Sequence, residues 1–316
     1  MKEFDLIAAI RQMTTTLPAN GFEGIGDDCA VLPLGEEALV FTTDALMEGV
    51  HFLRHTTSAY DLGHKALAVN LSDVAAMGVT PVAVLLSLSL TAKATERWAH
   101  DFMEGFTDLA RQHGVALIGG DTTRSEGGIS IAVTAIGRGA LRDLKRRKDA
   151  REGDLILVSA PLGGSAHGLQ QLMEGIEEGH CVEAHRRPQP EIEAGCWLGK
   201  REEVHAMMDL SDGIHSDLRH IVEASGMDAE VDVARIPVAE GATRDEAIVG
   251  GEEYKLLLTA DGASAEALCR AFTEQFGRPL YPIGRITNAS ESPSIAWFDG
   301  GEPFNCTKKG FEHFSE

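Results

Sequence analysis

The chain has 316 residues, 43% of them hydrophobic, with 34 glycines and only 6% aromatics. That is enough apolar material for two cores in an α/β protein with many tight turns. Its net charge of −21 argues against nucleic acid or an anionic membrane surface as a partner. No run approaches the roughly 20 apolar residues that span a bilayer. The opening Met-Lys-Glu-Phe-Asp has neither the basic start nor the apolar stretch of a secretion signal, and the five cysteines form no close pair. A cytoplasmic protein with reduced thiols and no zinc site is therefore expected.

Residues 39–41 predict a short strand that ends in Thr42-Thr43-Asp44, placing a carboxylate and two hydroxyls at a strand terminus. Residues 61–77 predict a helix closed by Gly78, with Pro81 shortly beyond. Within it Asn70 and Asp73 lie three apart and share one face, which a buried helix points at something polar. Residues 86–90 alternate as a half-buried strand should. Residues 96–113 form an amphipathic helix with Trp98, Phe102, Phe106 and Leu109 on one stripe, ended by Gly114. A strand at 115–118 opens into Gly119-Gly120-Asp121-Thr122-Thr123-Arg124, and another follows at 129–136.

The basic stretch 142–151 places the domain boundary, dividing the chain into 1–141 and 142–316. Beyond it lie a strand at 155–159 and a glycine turn at 162–169 leading into a helix. Such a turn either accepts a phosphate on its free amides or only closes a tight connection. Asp209 and Asp212 flank Ser211 ahead of a helix whose stripe is Ile214, Leu218, Ile221 and Val222, and which ends at Gly226. Asp217, inside that helix, is expected on its exposed face. A strand near 229–233, a loop at 250–254, a helix at 264–276 and a tail at 310–314 complete the reading.

Asp27, Asp28, Asp44, Asp73, Asp121, Asp209 and Asp212 stand where apolar runs break into Gly/Ser/Thr turns. Any one alone fits a helix cap or a turn. Brought together they would repel one another and resist ionising unless cations sat between them. Mg²⁺ suits such hard oxygen ligands, above all when a nucleotide adds phosphate oxygens. His100, His113, His180, His205 and His220 are scattered and form no metal-binding pair. The chain has no Walker loop, no protein-kinase loop pair, no Gly-x-Ser-x-Gly elbow and no Cys-His arrangement. If phosphate is transferred, metal bridges must chiefly handle it, since charge neutralisation and in-line positioning are what the transfer needs.

Five segments together resemble the thiamine-monophosphate kinase family: Gly-Ile-Gly-Asp-Asp-Cys-Ala at 24–30, Thr-Thr-Asp-Ala-Leu-Met-Glu-Gly-Val-His-Phe at 42–52, Lys-Ala-Leu-Ala-Val-Asn-Leu-Ser-Asp-Val-Ala-Ala-Met-Gly at 65–78, Gly-Gly-Asp-Thr-Thr-Arg-Ser at 119–125 and Met-Asp-Leu-Ser-Asp-Gly at 208–213. The helix motif around Asp73 alone would indicate only the wider superfamily of aminoimidazole ribonucleotide synthetase, selenophosphate synthetase and hydrogenase-maturation proteins. The resemblance implies an N-terminal α/β domain whose four-stranded mixed sheet pairs with that of a second subunit in a homodimer, followed by a larger C-terminal α/β domain. It implies conversion of thiamine phosphate to thiamine diphosphate with ATP as co-substrate, by direct transfer. Several Mg²⁺ ions would be held by Asp28, Thr42, Thr43, Asp44, Asp73, Asp121, Asp209 and Asp212, with Asp44, Asp121 and Asp212 in the catalytic role. ATP would contact Gly120, Asp121, Arg147 and Ser211, while His51, Glu252 and Phe311 would line the thiamine phosphate pocket.

Three positions, in two segments, depart from the family pattern. Gly-Gly-Glu-Asp-Tyr-Glu-Leu appears as Gly-Gly-Glu-Glu-Tyr-Lys-Leu, with Glu253 and Lys255 altered. Arg146, Arg147 and Lys148 compete for the nucleotide contact, and an ungapped count back from Gly153-Asp154 selects Arg147, Glu152 standing where proline is usual. The same carboxylates would also serve a superfamily enzyme with a different small acceptor, or a MgATP-binding regulator without turnover.

Overall fold

The computed structural model describes residues 3–306, so Phe311 lies outside the described residues. The first half contains α1 (Glu3–Thr14), β1 (Ala30–Leu34), β2 (Glu37–Met47), α2 (Ala59–Ala76), β3 (Thr80–Leu90), α3 (Glu96–His113), β4 (Ala116–Arg124) and β5 (Ser130–Ala140). Its strands form one mixed sheet in the order β1-β2-β5-β3-β4. Only β3 and β4 run parallel, because α3 carries the chain back across the sheet between them. The sheet has five strands where four were expected. The additional one, β1, contains Pro33 and pairs with β2 alone in the sheet, an edge position where a missing N–H is tolerated.

β2 continues through Asp44 to Met47, pairing with β5 along its whole length. Thr42, Thr43 and Asp44 are therefore inside a strand and not at its end. Alternation then separates them: Ala38, Val40 and Leu46 are buried in one core with α2, Thr42 and Asp44 share that side, and Thr43 faces the other.

The second half contains β6 (Leu155–Val158), α4 (Gly164–Met173), α5 (His180–Arg186), α6 (Ile192–Gly199), β7 (Val204–Asp209), α7 (Ile214–Ser225), β8 (Met227–Asp232), α8 (Arg244–Val249), β9 (Leu256–Ala260), α9 (Ala265–Phe276), β10 (Tyr281–Ala289), β11 (Ile295–Asp299) and β12 (Glu302–Pro303). Seven strands order as β12-β11-β8-β10-β6-β9-β7, antiparallel except for β8 with β11. No disulfide forms among the described residues. None of their helices is long and apolar enough to cross a membrane.

α2 joins the two halves. Ser58 caps it by accepting from the Asp61 N–H at 3.1 Å, and its residues are buried almost throughout. The helix packs on β2 and β5 on one side and on β7 and α6 on another. Ala76 accordingly belongs to a core built from second-half residues such as Leu157 and Leu258. Against α3 the two backbones nearly touch: a Cβ on Gly63 would lie 1.9 Å from the Phe102 carbonyl oxygen, and one on Gly105 1.9 Å from that of Tyr60. Gly63→Ala is expected to lower unfolding free energy by about 2 kcal/mol through overpacking. Gly127→Ala, where nothing lies within 4 Å, should stay within about 0.5 kcal/mol of the parent in the same denaturant titration.

Candidate active site

The C-terminal half of α2 gathers carboxylates from four separate segments. Asp73 accepts from Thr42 Oγ1 of β2 at 2.5 Å, and Asn70 accepts the Asp44 N–H at 3.0 Å. One residue from Asp73, Ser72 donates to Asp209 Oδ2 at the end of β7, 2.5 Å away. Oxygens of Asp28, Asp73 and Asp209 lie within 4.8 Å of one another. At that separation each ionised pair repels by on the order of 3 kcal/mol at an effective dielectric of about 20. Burial, with repulsion from Asp28, lifts Asp44 to about 6 and Asp209 to about 8. Asp73 is pushed well up by burial and then by Asp44, Asp209 and Asp28.

Among the described residues, Arg147 is the cation that meets this cluster. Arg147 donates to Asp28 Oδ1 at 2.6 Å, and its backbone N–H is held by Asp27 Oδ1 at 2.7 Å. Burial would weaken its charge, but Asp28, Asp209 and Asp27 more than offset that and raise it. Of its two neighbours, Arg146 forks onto Glu23 at 2.8 and 3.0 Å and Lys148 is exposed. Asp28 Oδ2 remains buried without a hydrogen-bond partner. An orphaned anionic oxygen beside two further carboxylates fits a divalent cation by donor chemistry and by the unmet charge.

From this cluster a cavity of about 600 Å³ opens toward α4. Its lining includes Asp44, Asp73, Ser211 and Asp212, the apolar Leu53, Leu169 and Met173, and His51, His185, Glu252 and Tyr254. Glu252 and Tyr254 have φ of +60° and +50°, a backbone state costing about 1 kcal/mol or more for residues bearing a side chain. Hydrogen bonds from their N–H groups to the carbonyls of Ser211 and Leu210, at 2.7 and 2.8 Å, hold the loop there. Glu252 ion-pairs with Lys65 at 2.8 Å; burial alone would raise its pKa, but Lys65 brings it below the usual range. His51 accepts the Met47 N–H on Nδ1 at 3.0 Å.

Several expectations change in this geometry. The glycine turn at 162–169 offers no free amide cradle at Gly163 or Ser165: Glu253 Oε1 accepts both N–H groups at 2.9 and 3.0 Å. Glu253 thus turns away from the cavity to cap α4, its pKa lifted to about 7 by burial. Asp217 is buried and not exposed, because its Oδ2 accepts the Asp212 N–H at 3.1 Å and fixes the turn before α7. Thr43 donates to the Val133 carbonyl at 3.1 Å on the far face of β2. Gly120 and Asp121 lie exposed on the edge strand β4. The register Asp44, Val133, Leu86, Gly120 puts three strand spacings, roughly 14 Å, between them and Asp44. Lys65, Ser72 and His185 carried no assignment from sequence. A lysine in an apolar helical run was the one available signal, since His185 has no local pattern to mark it.

Residues 26–139 match the AIR synthase related protein, N-terminal domain, and residues 151–295 the AIR synthase related protein, C-terminal domain. The thiamine-monophosphate kinase of Haemophilus influenzae is 38% identical, over 100% of this chain and 99% of its own length. A solved structure of AaThiL complexed with AMPPCP and TMP superposes with a TM-score of 0.83 at 29% identity, covering 99% of this chain and 97% of that one. The thiamine-monophosphate kinase crystal structure from Stenotrophomonas maltophilia K279a gives 0.76 at 39% identity, covering 96% and 98%. With the carboxylate cluster and its cavity in one fold with these relatives, the chain belongs to the thiamine-monophosphate kinase family.

Proposed function

We propose that this chain transfers the terminal phosphoryl group of ATP directly to thiamine phosphate, giving thiamine diphosphate, in the cavity between α2, β2 and the loops around Ser211 and Glu252. The observation that carries the reading is one cavity whose lining combines the carboxylates Asp44, Asp73 and Asp212 with the apolar Leu53, Leu169 and Met173 and with Glu252. AMPPCP, a non-hydrolysable ATP analogue, and TMP occupy the related AaThiL structure, which supports the same pair of substrates here.

Asp28, Asp44, Asp73, Asp209 and Asp212 would hold Mg²⁺, which when bound offsets the charge of the polyphosphate and of the acceptor phosphate. Thr42 and Ser72 orient that set by engaging one oxygen each of Asp73 and Asp209. Arg147 and Ser211 would meet the nucleotide, with Arg147 already fixed by Asp28. The attacking atom is an anionic phosphate oxygen, so no strong general base is needed. What the residues must do is bring two anions into line and exclude water. His51 and Glu252 would seat the acceptor.

Gly120 and Asp121 enter this reading through a homodimer. β4 is an unpaired edge among the described residues, with Leu117 and Ile118 41% and 58% exposed and Leu85 of β3 38% exposed nearby. Such an edge and apolar surface suit pairing with a second copy. Asp121, too far from the carboxylates of its own subunit, would then act in the partner's site.

Two outcomes check this. Asp44→Asn and Asp121→Asn are each expected to abolish turnover, whereas refolding them together should restore about a quarter of parental activity, one intact site in each statistical heterodimer; no recovery on mixing would place Asp121 outside the partner's site. The second concerns pH. In metal-free protein Asp44 and Asp209 titrate at about 6 and about 8, against about 4 when unfolded. The native state therefore binds more protons in that window, and their contribution to stability is lost as pH rises through it. In chelator the melting temperature of the parent should fall, relative to Asp209→Asn, from about pH 5 to about pH 8. Mg²⁺ should remove the difference in slope.

A further inference from the structure

Lys65 is among the largest fully buried side chains of the molecule, on a helix otherwise packed with apolar residues. An ammonium placed there is costly unless a carboxylate answers it. Glu252 Oε1 does so at 2.8 Å, with the Lys65 side chain 2% exposed and that of Glu252 26%. The difference in exposure separates their roles: Glu252 lines the cavity, whereas Lys65 stands behind it and is not part of the wall. The second oxygen, Oε2, is 3.4 Å from His185 Nδ1, which is itself 3.1 Å from Ser165 Oγ. Burial, with Lys65 nearby, holds His185 down at about 4, so it meets the carboxylate as a neutral ring. From below, the backbone N–H of Glu252 is tied to the Ser211 carbonyl at 2.7 Å.

We infer that Lys65 is a positioning residue for the acceptor, fixing the direction and charge of the Glu252 carboxylate that faces it. The inference rests on the assignment of Glu252 to the thiamine phosphate end. Thiamine phosphate carries a cationic thiazolium ring and an amino-substituted pyrimidine. A carboxylate kept ionised and held in one direction attracts the first or accepts from the second; a protonated or swinging one does neither. Lys65 thereby links the acceptor end to α2, the helix that carries Asp73 at the metal end.

Steady-state kinetics on the full chain test this, with thiamine phosphate varied at saturating MgATP and ATP varied at saturating thiamine phosphate. Lys65→Met and Glu252→Gln should each raise KM for thiamine phosphate about tenfold or more, with KM for ATP within about twofold. The double variant, in which the buried pair is neutral, should be no worse than Glu252→Gln alone, because Lys65 acts through that carboxylate. Losses that multiply in the double variant, or a normal KM in Lys65→Met beside a raised one in Glu252→Gln, overturn the positioning role and leave the Glu252 assignment standing. A normal KM in Glu252→Gln overturns both. If Lys65→Met alone does not fold, the comparison of the double variant with Glu252→Gln decides by itself.

Discussion

The structure is organised around an electrostatic conflict: carboxylates from four segments are forced together beside one helix, with Arg147 the cation that contacts them among the described residues. Asp28, Asp73 and Asp209 approach within 4.8 Å, and Arg147 offsets only part of their charge. Hydrophobic packing imposes the convergence. α2 is sealed between a five-stranded sheet and the core of the second half, so its polar residues are carried inward with it. Without added cations the conflict is relieved by protonation, which is why Asp44, Asp73 and Asp209 all hold protons more tightly than ordinary carboxylates.

α2 divides its faces between two tasks. Asn70 and Asp73 address β2, whereas Lys65, Val69, Ser72 and Ala76, at helical spacing, address the second half and the cavity. One helix thus ties the carboxylate cluster to Glu252, and neither can shift alone without breaking a buried hydrogen bond or ion pair. The loop carrying Glu252 is strained, and that strain is balanced by backbone bonds to the same Leu210–Ser211 turn that follows Asp209. Packing, charge and loop conformation meet at one place.

Glu253 and Asp121 read differently once folded. Glu253 is not a cavity residue; its longer side chain reaches the amides at the start of α4, a structural cap in the place where a phosphate cradle was considered. Asp121 is the opposite case. Its motif resembles a functional one, yet it stands exposed on the edge strand β4, three strand spacings from Asp44.

Local chemistry in the chain was enough to determine the helices α2, α3 and α7 with their glycine ends, because periodicity, caps and turn residues act over a few positions. Strand extent was less legible: β2 looked broken at Thr42-Thr43-Asp44 since polar residues facing a buried site resemble a strand end. Which residues meet was decided by tertiary structure alone. Asp217 looked exposed on its own helix and is buried by the turn before it, and Lys65 looked like an ordinary helical lysine and is paired with a residue far along the chain. Sequence spacing fixes the direction of a side chain on its own element, but burial and charge partners depend on packing between elements distant in sequence, and no local pattern encodes that distance.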